Sequence, residues 1–239
     1  GDKIEAMGMA ELEDLALYVP NVHIAEGAIT PLLFIRGVGS GMNPGFEQSV
    51  GTFVDGVYYG RGQHSRAAFL DLERVEVLKG PQSTLFGKNT IAGAINITTA
   101  QPTEEFKGYI DAAFESEVDG TSVSAMLSGP LSDTVRVRVA ARKSDDEGWM
   151  TNTAVGGVGG PEEDNLAIRG TLEWDASESL VFTRKAERNR YKFVGRQQVI
   201  SIANPTATFL YRTFGDAGFS PGFDYVRNAR TSVQSEFHD

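Results

Sequence analysis

Residues 72–98 constrain the fold more than any other part of the chain, because they encode two strands joined by a tight connection. Val75 and Val77 alternate with charged neighbours, which is the pattern of a half-buried strand. Gly80 and the proline after it end that strand, and the residues that follow have room only for a turn or one helical turn. The alternation resumes over residues 93–98. We therefore predict a strand, a short break and a second strand.

The rest of the first hundred residues predicts one helix and several short strands. Residues 2–19 carry apolar side chains near helical spacing, and Pro20 ends that helix. Residues 32–36 are predicted to form a strand, and the glycine-rich residues 37–51 a loop. Asp55-Gly56 stands between two apolar runs, which is a strong hairpin signal. The sequence predicts a small α+β domain that ends near residue 101.

From residue 102 onward the chain becomes a series of alternating segments, each about ten residues long. Arg136 and Arg138 alternate with valines, so the arginines are expected to share one face of a strand. Short connections are predicted at residues 129–133 and 175–179, and a long one at 144–164. Short turns at one end and long loops at the other are typical of an outer-membrane β-barrel. A soluble β-sandwich with one solvated face is the alternative from these residues alone.

Composition excludes several classes of protein. The 239 residues carry a net charge of −10, which argues against nucleic acid as a partner because phosphate binding needs a positive field. There is no cysteine, so disulfides, thiolate zinc sites and cysteine nucleophiles are excluded. The three histidines are widely spaced, and no Gly-x-Ser-x-Gly elbow occurs. We expect no enzyme, no metal site and no cofactor.

Four motifs occur in an order that resembles the plug domain of TonB-dependent outer-membrane receptors. The motifs are residues 12–21, Phe34 to Gly37, Val54 to Val57, and residues 72–98. The resemblance covers roughly residues 2–190. It implies an α+β plug domain at residues 1–101, followed at residues 102–239 by antiparallel β-strands of an incomplete transmembrane β-barrel.

The chain also departs from the family pattern. Family members begin with a signal peptide and a TonB box, and their barrels have about 22 strands. Here the TonB box and the first plug strand are not visible, and only about five barrel strands are predicted. An open sheet edge in lipid would leave costly unpaired backbone groups. We therefore expect the chain to be a fragment of a receptor.

The resemblance implies uptake of a scarce nutrient across the outer membrane of a Gram-negative cell. A small-molecule ligand, expected to be an iron–siderophore, would bind at the outward apex of the plug. TonB with its inner-membrane energising proteins would then open a path, and the barrel strands would contact outer-membrane lipid. The alternatives are a stand-alone soluble ligand-binding module, or a receptor for oligosaccharide, haem or vitamin B12.

The resemblance also assigns roles to individual residues. Apical loops are expected to hold the ligand through a mixture of aromatic, charged and hydrogen-bonding groups, which suits a polar cargo. The predicted ligand-binding residues are Ser40, Met42, Asn43, Tyr59, Arg61, Gln63 and His64. Arg36 and Lys79 are expected to lock the plug to glutamates on the inner barrel wall. The alternatives are loops that contact only water, and ordinary surface ion pairs.

Overall fold

The computed structural model describes part of the chain, with gaps. The described residues are 12, 14–25, 32–40, 48–60, 70–116, 119–148, 150–152, 158–160, 162–194, 205–210, 213, 226–227 and 234–238. The chain divides into two compact units. The first comprises residues 1–110, 125–141 and 167–188, and the second comprises residues 111–124, 142–166 and 189–239.

The first hundred residues contain two small sheets. Helix α1 (Leu15–Tyr18) covers the end of the predicted helix, while residues 1–11 and 13 lie outside the described residues. The first sheet is antiparallel, with strand order β1-β2-β3. Its strands are β1 (Val22–Ala25), β2 (Leu32–Ile35) and β3 (Val38–Gly39).

The second sheet contains the motif from which the fold was predicted, and its strand order is β5-β4-β7-β6. Its strands are β4 (Val50–Val54), β5 (Val57–Tyr59), β6 (Leu72–Lys79) and β7 (Gly93–Thr99), with helix α2 (Ser83–Phe86) between β6 and β7. Strands β4 and β7 are parallel, whereas the other two pairs are antiparallel. The predicted strand, helical turn and strand are confirmed.

Strand register gives this sheet two distinguishable ends. Gly93 lies opposite both Val50 and Lys79, and we call this the Gly93 end. Thr99 lies opposite Leu72, and we call this the Thr99 end. The Asp55-Gly56 hairpin turn lies at the Thr99 end, because Val54 pairs with Ile97 and the Asp55 N–H donates to the Ile97 carbonyl at 2.9 Å. Loops before β4 and after β5 therefore start from the Gly93 end.

A single apolar core joins the two sheets and helix α1. Ile95 is fully buried at its centre, on the strand that lies between β4 and β6. The buried members of this core are Leu12, Leu15, Val22, Leu33, Ile35, Val50, Leu72, Ala92, Ile95 and Ile97. The alternation seen in the sequence is what delivers these side chains to one face of each strand.

After residue 102 the chain forms a six-stranded sheet in the order β16-β14-β13-β10-β9-β8. These strands are β8 (Lys107–Glu115), β9 (Gly120–Ser132), β10 (Val135–Asp146), β13 (Glu162–Ser177), β14 (Leu180–Val194) and β16 (Gln234–His238). The connections after β9 and β13 are short, as predicted. Strand β16 pairs with β14 in a region where the sequence shows little period.

The predicted long loop at residues 144–164 contains strand structure of its own. A small sheet has the order β12-β11-β15, from strands β11 (Met150–Asn152), β12 (Val158–Gly160) and β15 (Val226–Arg227). Helix α3 (Pro205–Leu210) lies in the C-terminal region. Among the described residues, no helix combines the length and apolar character needed to cross a membrane.

On the long strands, many apolar side chains are exposed and some charged side chains are buried, which is the opposite of the usual arrangement in a water-soluble sheet. Large apolar side chains are exposed, including Ile110, Phe114, Leu127, Leu131, Trp174 and Phe182. In contrast, Arg136 is mostly buried and paired with Glu173 and Asp175 across strands β10 and β13. On strand β13 the predicted alternation is confirmed, since Ile168, Leu172 and Trp174 are exposed while Arg169 is buried; on strand β8 both faces are exposed.

Candidate functional site

The Gly93 end carries two of the residues predicted to bind ligand. The Ser40 and Ser49 hydroxyl oxygens lie 2.9 Å apart, and the Ser49 N–H donates to the Ser40 hydroxyl at 2.5 Å. Tyr59 is the last residue of β5 and lies opposite Thr52 in the middle of β4, and 37% of its surface is exposed. The structure thus brings Ser40 and Tyr59 to one end of the plug. The other predicted ligand residues, Met42, Asn43, Arg61, Gln63 and His64, lie outside the described residues.

Two further polar groups, neither of them predicted from the sequence, lie at this end. The Asn89 side-chain amide donates to the Tyr58 hydroxyl at 2.9 Å. The Tyr58 ring packs on Phe53, which also packs on Phe86 of helix α2. The sequence offered a clue to Tyr58, since it adjoins the predicted ligand residue Tyr59 in the same hairpin strand. The sequence offered no clue to Asn89, because it lies in a segment whose residues indicate only a turn.

The connection between β6 and β7 is held by its own hydrogen bonds. The Gln82 N–H donates to the Thr90 carbonyl at 2.9 Å, and the Thr90 hydroxyl donates to the Gly87 carbonyl at 2.7 Å. Leu85 and Ile91 are nevertheless exposed on it. The Gly93 end therefore presents hydroxyl, amide, aromatic and aliphatic groups together, which is the mixture that binds small organic ligands.

The two residues predicted to lock the plug also lie near this end. The Lys79 ammonium donates to the Pro20 carbonyl at 2.6 Å. Arg36 has a left-handed backbone with φ of 53°, and its N–H donates to the Asn21 carbonyl at 2.8 Å. Within the ranges that the structure describes, no carboxylate pairs with either side chain. Their pairing with barrel glutamates stays a prediction.

At the Thr99 end, Asp55 is the centre of a hydrogen-bonded group. Its carboxylate accepts from the Thr99 N–H at 3.0 Å and from the Thr99 hydroxyl at 2.9 Å. The Lys185 ammonium on strand β14 donates to both the Asp55 carboxylate and the Thr99 hydroxyl. Burial acts to raise the pKa of Asp55, but the bonds from Lys185 and Thr99 outweigh it and hold that pKa below its ordinary value of 3.8. The carboxylate is therefore ionised at neutral pH.

A second charged group surrounds Asp71, just before strand β6. The Asp71 side chain is 4% exposed and the Arg138 side chain 11% exposed. Arg138 grips both carboxylate oxygens, with its Nε 2.6 Å from one of them. Arg169 donates to the Leu70 carbonyl at 2.6 Å and to Glu187 at 2.5 Å. The sequence predicted only that Arg136 and Arg138 share one face of a strand, and the structure shows that Arg138 bonds to the plug.

Comparison with known proteins gives consistent results. Residues 1–94 match the family described as TonB-dependent Receptor Plug Domain. The chain is 32% identical over 152 residues to the pesticin receptor of Yersinia pestis. That match covers 62% of this chain and 22% of the receptor. It is 28% identical over 159 residues to the iron-regulated outer membrane virulence protein of Vibrio cholerae, covering 61% of the chain and 24% of that protein.

Similarity at the level of structure extends over more of the chain. The crystal structure of the ferric yersiniabactin uptake receptor FyuA from Yersinia pestis superposes with a TM-score of 0.72 at 26% identity. That superposition covers 82% of this chain and 31% of FyuA. The chain thus spans less than a third of the length of each of these relatives. The predicted fold class, a plug followed by antiparallel strands of an incomplete barrel, is confirmed.

Proposed function

This chain carries the plug domain of the TonB-dependent outer-membrane receptors, and from that premise we propose that the whole receptor imports a ferric siderophore. The observation that carries the proposal is the similarity of the plug and the following strands to FyuA, whose name states ferric yersiniabactin uptake. The name of the Vibrio cholerae relative also states regulation by iron. Haem, vitamin B12 and oligosaccharide are the competing cargoes.

The exposed apolar side chains of strands β8 to β14 support the predicted outer-membrane location. Burying each large side chain of this kind is worth about 1.5–3 kcal/mol, so a stand-alone soluble module would bear a large penalty. The relatives are outer-membrane receptors of Gram-negative bacteria, and the localisation predicted from the sequence agrees with them. We propose the domain division at residue 101, with the plug before it and lipid-contacting strands after it.

Ligand binding is proposed at the Gly93 end of the plug. Ser40 and Tyr59 are supported by their position, and Tyr58 and Asn89 extend the same surface. The remaining residues of the proposed site are Met42, Asn43, Arg61, Gln63 and His64. Such a site binds its cargo by hydrogen bonds and aromatic contact and makes or breaks no bond in it. The relatives are likewise transport receptors, not enzymes.

Energy for release would come from TonB and its inner-membrane partner proteins, acting on the plug from the periplasmic side. Arg36 and Lys79 are proposed to hold the plug in place through barrel glutamates. The lysine at the second position carries its charge on one ammonium nitrogen, so its pairing would lack the bidentate geometry that the planar guanidinium of an arginine provides.

The proposal is tested by growth of a Gram-negative host that lacks its own siderophore receptors and expresses the complete receptor gene. Growth on at least one ferric siderophore as the sole iron source is expected, and a tonB-deficient host should abolish it. Haem, vitamin B12 and oligosaccharides serve as the comparison nutrients. Growth that depends on one of these, with no ferric siderophore used, would replace the proposed cargo. Growth that persists without TonB would contradict the coupling.

The proposed site is tested by Tyr59→Ala. We expect the dissociation constant of the purified receptor for its siderophore to rise about tenfold, because truncation of an aromatic contact costs roughly 1.4 kcal/mol. Titration calorimetry gives the constant directly. Val57→Ala, on the same strand but next to the Asp55-Gly56 turn, is the control and should leave affinity unchanged. Equal effects of the two variants would remove Tyr59 from the site.

A further inference from the structure

We propose that Asp55 and Asp71 clamp the Thr99 end of the plug to the strands that follow it, as a lock separate from Arg36 and Lys79. We call this group the acidic clamp. Its members are Asp55, Leu70, Asp71 and Thr99 of the plug and Arg138, Arg169, Lys185 and Glu187 of strands β10, β13 and β14. Its polarity is the reverse of the predicted lock, since here the acid belongs to the plug and the base to the strand. All members lie in the first compact unit.

The Asp55 arm is held rigidly by the hairpin turn. Asp55 has a left-handed backbone with φ of 48°, which few residue types adopt easily. The Thr99 N–H and hydroxyl orient its carboxylate, and Lys185 then closes a three-way contact with Asp55 and Thr99. Because one ammonium bonds two plug groups, a single strand residue ties the ends of both β4 and β7. The lowered pKa of Asp55 is in keeping with this pairing.

The Asp71 arm has the geometry of a strong ion pair. Two parallel N–H donors of the Arg138 guanidinium meet the two carboxylate oxygens, which is the bidentate form that lysine cannot make. Both side chains are almost fully removed from water. Removing one partner of such a pair leaves a buried charge unmatched, and that costs much more than an exposed pair is worth. Asp71 and Arg138 therefore depend on each other.

The Arg169 arm of the clamp is hydrogen-bonded to the backbone of the plug. Its guanidinium donates to the Leu70 carbonyl, at the point where the chain enters strand β6. Glu187 on the neighbouring strand accepts from the same guanidinium and balances its charge. Asp71 thus offsets Arg138, and the partly exposed Glu187 offsets Arg169, so each of the two arginines has a carboxylate beside it. Compensated charges of this kind can be buried where single charges cannot.

Position within the sheet gives the clamp its role. Ser40 and Tyr59 of the proposed ligand site lie at the Gly93 end, whereas the clamp lies at the other end of strands β6 and β7. Strand β6 advances about 3.3 Å per residue, so its two ends are about 23 Å apart. The clamp therefore secures the plug without occupying the ligand surface. Asp55, Asp71, Arg138, Arg169 and Lys185 are positioning residues for the plug.

The clamp is tested by Asp55→Asn, Asp71→Asn and their combination in the full receptor. Asparagine keeps the size of the side chain and tolerates the left-handed backbone that both aspartates adopt, so the charge is the main change. We expect amide hydrogen exchange in strands β6 and β7 to accelerate at least tenfold in the double variant. The matched control is Asp119→Asn, because Asp119 is exposed, has φ of 46° and lies outside the clamp. Exchange within twofold of the wild type in the double variant would overturn the proposal.

A second pair of variants separates charge from simple packing. Lys185→Arg keeps a cation and is expected to retain wild-type exchange, whereas Lys185→Met keeps the aliphatic stem and should accelerate exchange at the Thr99 end. Equal exchange in the two variants would contradict the clamp even if the Asp71 variants fail to fold. Exchange is measured without ligand, so the result does not depend on whether the receptor imports a ferric siderophore.

Discussion

Replacing Gly93 by alanine is expected to destabilise the plug by about 3–4 kcal/mol. Gly93 has φ of 156°, where side chains other than that of glycine are strained. A methyl group there would also overlap the Leu78 carbonyl oxygen and lie 2.7 Å from the Ile35 side chain. The carbonyl belongs to the paired strand β6 and cannot rotate away. Overpacking and backbone strain therefore add at one site, each worth about 1–3 kcal/mol.

Hydrogen exchange of strands β4, β6 and β7 is the suitable measurement for this variant. The two tryptophans, Trp149 and Trp174, both lie after residue 101, so their fluorescence does not report on the plug. Gly170→Ala in strand β13 is the matched control, because a methyl group at that position would meet no atom within 4 Å. Plug exchange in Gly93→Ala that matches this control would show that the packing argument is wrong.

Ile95→Ala is expected to destabilise the plug by about 3–4 kcal/mol, through a cavity at the centre of its core. Ile95 has no exposed surface, and it pairs with Thr52 on one side and Val77 on the other. Loss of a buried isoleucine side chain costs about 2–5 kcal/mol, because transfer energy and cavity energy add. We expect the middle of that range, because both neighbouring strands are held in register and collapse only partly into the cavity.

The control for this variant is Ile110→Ala on strand β8. Ile110 is 82% exposed, so the same substitution there removes no core contact. The opening free energies of β6 and β7, from exchange corrected for intrinsic rates, should fall in Ile95→Ala and stay within about 0.5 kcal/mol in Ile110→Ala. Comparable losses in both would mean that Ile95 contributes no more than a surface residue.

Local signals predicted most of the secondary structure of the plug. A period of two marked strands β6 and β7, and Asp55-Gly56 marked the hairpin between β4 and β5. Both signals act between neighbouring residues, since side chains alternate across a strand and few residues fit a tight turn. Strand β16 was not predicted as a defined element. It pairs through backbone hydrogen bonds that require no side-chain pattern.

The functional residues also divide into those that chain order could predict and those that depend on distant contacts. Tyr59 follows the hairpin turn, so its place at one end of a short strand was predictable from chain order. Asp71 offered no local signal, because its partner Arg138 is 67 residues away in sequence. Asp55 was recognised only as a turn former, although its contact with Lys185 spans 130 residues. Periodicity predicts which face a side chain occupies and cannot predict which distant group it meets.

The sequence by itself determined the strand pattern, the turns, the resemblance to the plug family and the alternation of faces after residue 102. Each of these depends on the order of neighbouring residues. Composition separately excluded cysteine chemistry and argued against nucleic acid as a partner. Only the tertiary structure decided that Asp55 meets Lys185 and Asp71 meets Arg138 on later strands, and that Arg169 reaches the Leu70 carbonyl. Those pairings depend on strand order and register, which are settled when the chain buries its apolar core.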